Sequence, residues 1–167
     1  MKSSLTAFGA YFAGTGTVEL AQAYVETFDL RRRTSLYLTY YLHGDTRKRG
    51  MALLRLRRLY SAAGLEAATG ELPDYLPLML EFAALAPDGF GSTLLSEHRP
   101  ALELLRAGLH DAGSPYAHLL DVLSSGLPRL TPRERERVRR LAADGPPSEQ
   151  VGLEPFAPPE VMPEARV

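Results

Sequence analysis

Cysteine is absent from the 167 residues of this chain, and disulfides, thiol nucleophiles, iron–sulfur ligation and cysteine-type zinc sites go with it. That absence fits cytoplasmic residence. Long apolar runs are missing too, since none reaches the ~18 residues that a membrane span needs. The opening stretch, MKSSLTAFGAYFAGTG, has a short apolar run broken by Gly9 and Gly14, and Lys2 is its one basic side chain. It does not read as a secretory signal. Net charge is −1 and the pI about 6.4, so the whole molecule is no polycation seeking nucleic acid. β-Branched residues are few beside leucine and alanine, which favours helices.

Catalytic patterns are also missing. His43, His98, His110 and His118 are scattered, and neither HExxH nor GxSxG occurs. His118 and Asp121 stand one helical turn apart, as a surface pair would. No second carboxylate in the local sequence partners Asp74 for acid–base work. GTG at 14–16 and GDTRKRG at 44–50 lack the ending of a phosphate-binding loop. The residues offer little for an enzyme.

What is present is helical periodicity. Val18, Ala21, Val25 and Phe28 form one stripe; Leu53, Leu56, Leu59, Tyr60 and Ala63 form another within a helix over 46–63, with Gly64 as its stop. SLYLTYYL, 35–42, alternates like a strand but has no obvious partner, so it reads as helix. Residues 73–86 are apolar nearly all round, as in the middle of a bundle; Pro73 suits a first turn and Pro77 predicts a kink or irregular start. Further helices are marked around Leu102–Ala112 and Tyr116–Leu123. A last one opens with Thr131 as cap, Pro132 first and Glu134 completing a capping box. Prolines crowd the sequence beyond Asp144. The reading is an all-α, single-domain helical bundle over 1–143, followed by a Pro-rich, extended or disordered tail over 144–167.

Residues 31–58 hold nine bases against Asp45, a formal +8, so the rest of the chain carries −9. A basic face for nucleic acid is therefore an alternative reading, although helix–turn–helix spacing and an RNP-type motif are absent. Within this stretch, HGDTRKRG (43–50) makes a helix–helix corner. Gly44 can end one helix in the left-handed conformation, and Asp45 or Thr46 can cap the next. Bases in a first helical turn oppose the dipole, so an anion such as Asp29, Asp74 or a ligand is expected nearby. Gly50, inside a helix, predicts close approach of a neighbour, since mid-helix glycine otherwise costs ~1 kcal/mol.

YVETFDLRRRTSLYLTYYLHGDTRKRGMALL (24–54), followed by ELPDYLPLMLEFAAL (71–85), closely resembles the NarJ family of nitrate reductase molybdenum cofactor assembly chaperones, relatives of the TorD and DmsD chaperones. EHRPALELLRAGLHDAGSPYAHLLDVL (97–123) and VGLEPFAPPE (151–160) are similar to its actinobacterial members. The resemblance implies a non-enzymatic, all-α, cytoplasmic chaperone of the TorD/NarJ type. Such a protein binds the apo catalytic (alpha) subunit of nitrate reductase through that subunit's N-terminal segment. It assists insertion of molybdenum–bis(molybdopterin guanine dinucleotide) into the client, holds no cofactor stably itself, and delays membrane docking.

By the same resemblance the client-binding region falls on Pro73, Asp74 and Tyr75 and on Thr27, Phe28 and Asp29. An apolar peptide helix wants a groove of leucines and aromatics, for which Phe28, Tyr37, Leu72, Tyr75, Leu76 and Phe82 are candidates. Asp74 is the candidate for a charge-assisted bond to a basic or N-terminal group of the client. At the corner, His43, Gly44, Asp45, Arg47, Arg49 and Gly50 are candidates for bracing or client contact. Family members usually begin with additional helices ahead of YVETFD, so the sequence reads as short at the N-terminus. The glycine-broken segment 5–16 is a weak substitute for them. Residues 35–42 then become a candidate exposed patch, and self-association is expected.

Overall fold

The computed structural model describes residues 2–65, 70–87 and 89–147. Within them the chain is all-α: α1 (Lys2–Gly14), α2 (Thr17–Tyr24), α3 (Leu38–His43), α4 (Arg47–Ala62), α5 (Leu76–Leu85), α6 (Phe90–Glu97), α7 (Arg99–Asp111), α8 (Ala117–Gly126) and α9 (Pro132–Asp144). The part of the Pro-rich tail over 148–167 lies outside the described residues.

α7 is the axis of the bundle. Ala101, Leu102, Leu105 and Leu109 keep helical spacing and are essentially inaccessible, and α3, α6, α8 and α9 all pack on this helix. Leu38, Met79 and Leu94 complete the innermost layer. Gly108 lets α7 approach the backbone of Arg33, and Gly91 lets α6 approach the backbone of Ala83 on α5; a Cβ at either position would collide with main-chain atoms. Gly50, by contrast, lies exposed with nothing near the place of a Cβ, so the close approach expected there does not exist.

α7 and α8 are also clamped by charge. Glu103 takes Arg99 and Arg106 at 2.9 Å each and a 2.7 Å hydrogen bond from the Ser124 hydroxyl. Arg106 reaches on to Asp121 at 3.0 Å. Burial works against the Glu103 carboxylate, but these donors hold its pKa below the ordinary value.

Four local expectations need correction. The stretch 35–42 is helical only from Leu38; Leu36 and Tyr37 run extended against Tyr75 and Leu76, where Leu38 donates to the Asp74 carbonyl at 3.0 Å and Leu76 to the Leu36 carbonyl at 2.9 Å. Nor is it an exposed patch, since Leu36, Leu38, Tyr41 and Leu42 are buried. α5 begins at Leu76, not Pro73; of the two outcomes expected of Pro77 the irregular start is the one found, and Pro77 sits in the first turn, where a missing N–H breaks no bond. Segment 5–16, despite its glycines, forms most of α1; Phe8 and Tyr11 set their rings 5.4 and 6.5 Å from Tyr116, and that contact outweighs propensity. α2, α4, α7, α8 and α9 fall where the sequence pattern places them, and Thr131 and Glu134 form the expected capping box, whereas α6 has no counterpart in the sequence reading.

Candidate functional site

Asp74 is the buried centre of the region. Its side chain is wholly inaccessible, and its Oδ2 accepts from the Thr39 N–H at 3.1 Å and from the Thr39 hydroxyl. It thereby caps the first turn of α3 from outside, 35 residues away in sequence, where the positive end of the helix favours a carboxylate. Arg49 reaches Oδ2 at 3.9 Å and Asp45 at 3.0 Å. Asp74 and Asp45 thus supply the anions expected beside the first turn of α4. Oδ1 of Asp74 has no partner among the described residues. Pro73, also buried, accepts a 2.6 Å hydrogen bond from Tyr60.

Above this latch, an aromatic row crosses the surface of the bundle. After α2 the chain widens into a π-turn, Val25–Asp29, closed by Leu30 donating to the Val25 carbonyl at 3.1 Å. The extra residue turns Phe28 inward, 4.8 Å from Tyr116 and 4.9 Å from Tyr24 between ring centres, and leaves Asp29 exposed. The Tyr24 and Tyr75 hydroxyls share a 2.9 Å hydrogen bond; Tyr75 packs 5.6 Å from Tyr37, which donates to Glu71 at 3.0 Å. Burial first, then the bond to Tyr75, push the Tyr24 phenol far above its ordinary range, so it stays neutral.

A cleft of about 310 Å³ lies between this row and the corner. Phe28, Asp29, Tyr37, Asp45 and Arg49, all singled out from the sequence, line it together. Arg31, Arg32 and Tyr40 line it as well, with the Arg49 guanidinium 5.9 Å over the Tyr40 ring. Sequence reasoning missed Tyr24, Tyr40 and Tyr116; the recurrence of aromatics over 24–41 was the available signal for the first two, and nothing local marked Tyr116. Other expected residues are elsewhere. Leu76 and Phe82 are core, with Phe82 stacked 4.4 Å from Tyr60. Leu72 is partly exposed at the end of the loop before α5, while Arg47 and Gly50 sit exposed on α4. His43 lies on the other side of the corner, in a separate cavity with His98. Gly44 has φ 58° and ψ −157°, a positive φ but not the left-handed helical conformation expected, and the Pro147 carbonyl occupies the space of its missing side chain.

The bases of 31–58 do not stand free as one sheet of charge. Arg33 lies 3.9 Å from Asp111, Arg49 meets Asp45, and Arg55 meets Glu97 at 3.0 Å. Among the described residues, no group of three or more His, Asp or Glu could hold a metal ion, and no helix is long and apolar enough to cross a membrane.

Comparison with known proteins adds a sequence family. The family described as nitrate reductase delta subunit matches residues 1–121. The probable nitrate reductase molybdenum cofactor assembly chaperone NarJ of Bacillus subtilis is 40% identical over 115 residues, 69% of this chain and 62% of that protein. The nitrate reductase molybdenum cofactor assembly chaperone NarJ of Escherichia coli K12 is 38% identical over 125 residues, 73% of this chain and 53% of its own. The nitrate reductase-like protein NarX of Mycobacterium tuberculosis is 46% identical over 98 residues, 59% of this chain but 15% of its own length. The chain thus spans less than two thirds of each of these relatives.

Proposed function

The chain belongs to the nitrate reductase delta subunit family, and from that membership we propose that it is an assembly chaperone for respiratory nitrate reductase. In this reading it catalyses nothing. It binds the apo catalytic subunit through that subunit's N-terminal segment, keeps it open for insertion of molybdenum–bis(molybdopterin guanine dinucleotide), and holds it in the cytoplasm until the cofactor is in place. The bundle of 1–143 is the chaperone domain. The observation that carries the reading is that every residue lining the 310 Å³ cleft falls inside the family-matched span 1–121.

The cleft suits a short amphipathic segment. Phe28, Tyr37 and Tyr40 offer aromatic surface, and exposed Asp29 can accept from a basic or N-terminal group of the client. Asp74 is too deep for that contact and serves instead by fixing the α3 wall. Val25 and Leu30, on and just after the π-turn that carries Phe28 and Asp29, are 44% and 73% exposed and add apolar surface to that segment.

The test is titration calorimetry of the full chain against a synthetic peptide of the catalytic subunit's N-terminal segment, with co-purification of the apo subunit as the second readout. Tyr37→Ala and Asp29→Asn should each weaken peptide binding several-fold, while Val18→Ala, on α2 and 70% exposed, should leave it unchanged. Equal affinity in all three variants, or no binding by the parent chain, rejects the cleft as the client site.

A further inference from the structure

A second and larger opening lies on the other side of the corner, between α3, α4, α6 and α9. Two cavities of about 760 and 550 Å³ meet there, sharing Leu42 and Arg137. Their apolar lining comes from Leu42, Leu56, Leu59 and Leu141. Arg133, Arg137 and Arg140 recur at i, i+4 and i+7 along α9, which puts them on one face above that floor. Among the described residues none of the three makes an ion pair or hydrogen bond. The nearby acids are largely engaged: Glu134 accepts from the Thr131 hydroxyl at the helix cap and Glu97 is paired with Arg55, which leaves Asp144. An apolar floor under unpaired arginines fits an acidic, apolar segment.

The chain itself supplies one. At Gly145, with φ 78°, it turns out of α9, and Gly145, Pro146 and Pro147 form part of the wall of the larger cavity. The C-terminal stretch beyond Pro147, SEQVGLEPFAPPEVMPEARV, carries Glu149, Glu154, Glu160 and Glu164 against Arg166 alone, interleaved with Leu153, Phe156, Val161 and Met162. Its twenty residues, 148–167, can extend up to ~66 Å, ample for the cleft. Four further prolines narrow the conformations it must give up on docking. α9 and the tail lie beyond residues 1–121, so the arrangement is not part of the family match.

We propose that residues 148–167 bind back into this cleft, with glutamates on Arg133, Arg137 and Arg140 and apolar side chains on the leucine floor. This is independent of the client cleft.

Because the chain has no cysteine, Ala157→Cys gives the full-length protein a single attachment point for a nitroxide spin label. Paramagnetic broadening is read on leucine methyl signals. The expected result is loss of most of the intensity at Leu42, Leu56, Leu59 and Leu141, with Leu5 on α1 unaffected. The broadening should shrink in 1 M salt, where the screening length is ~3 Å, and in the Arg133→Glu/Arg137→Glu/Arg140→Glu variant, whose helicity is checked by circular dichroism. Absent or uniform broadening overturns the proposal, as does broadening that survives charge reversal in a folded variant. So does broadening that passes between molecules when spin-labelled and methyl-labelled chains are mixed, which would assign the cleft to a second copy.

Discussion

Replacing Asp74 with alanine separates a structural carboxylate from a client-binding one. The side chain is fully buried and accepts two hydrogen bonds from Thr39, one from the backbone and one from the hydroxyl. Bonds to a charged acceptor contribute ~1.5–3 kcal/mol each, so the pair is worth ~3–6 kcal/mol before the relief of no longer burying a carboxylate. Arg49 stands 3.9 Å from Asp74 and keeps Asp45 at 3.0 Å as its partner in the variant, so it adds little to the loss. The net loss should be ~3–5 kcal/mol, a large share of the ~5–15 kcal/mol typical of a whole domain. At ~2–4 °C per kcal/mol, melting should fall by roughly 6–20 °C. Urea titration and calorimetry of the parent, Asp74→Ala, Thr39→Val and the double variant close a thermodynamic cycle. Strong coupling between the two sites is expected. A loss under ~1 kcal/mol for Asp74→Ala, or additive single effects, would refute the latch. Direct recognition of the client by Asp74 requires the opposite pattern, an intact fold with weakened peptide binding.

Burial sets two further outcomes. Gly50→Ala should stabilise α4 by up to ~1 kcal/mol, since the site is exposed and open, whereas Gly91→Ala should destabilise by ~1–3 kcal/mol, because its Cβ would meet the Ala83 backbone; chemical denaturation reads both, and equal effects would contradict the packing. His98 is buried with Nδ1 2.9 Å from the Leu94 carbonyl, and burial holds its pKa below the ordinary value, as burial and then Arg137 do for His43. A folded pKa below the unfolded ~6.5 means that the unfolded chain takes up protons first. Stability should therefore be level above about pH 6.5 and decline below it, and that decline should flatten in His98→Gln; an unchanged slope in melting scans would assign it to other groups.

Local regularities alone placed much of this protein. Apolar periodicity marks α4, α7 and α8, and a Thr-Pro-x-Glu start marks α9, because caps and amphipathic stripes involve residues within one or two turns of each other. The long motifs at 24–54 and 71–85 were enough to indicate the family that the match over 1–121 shows. Tertiary structure decided the rest. The alternation in 35–42 was half strand-like after all, but Tyr37 finds its partner at Tyr75, and no local window contains both. Glycine in a helix signals close approach only if another element crosses there, which happens at Gly91 and Gly108 and not at Gly50. Asp74 reads in sequence as an acid for a client contact, yet burial against Thr39 makes it a cap for α3. Periodicity tells which face of a helix turns inward; which element covers that face depends on contacts between residues distant in the chain.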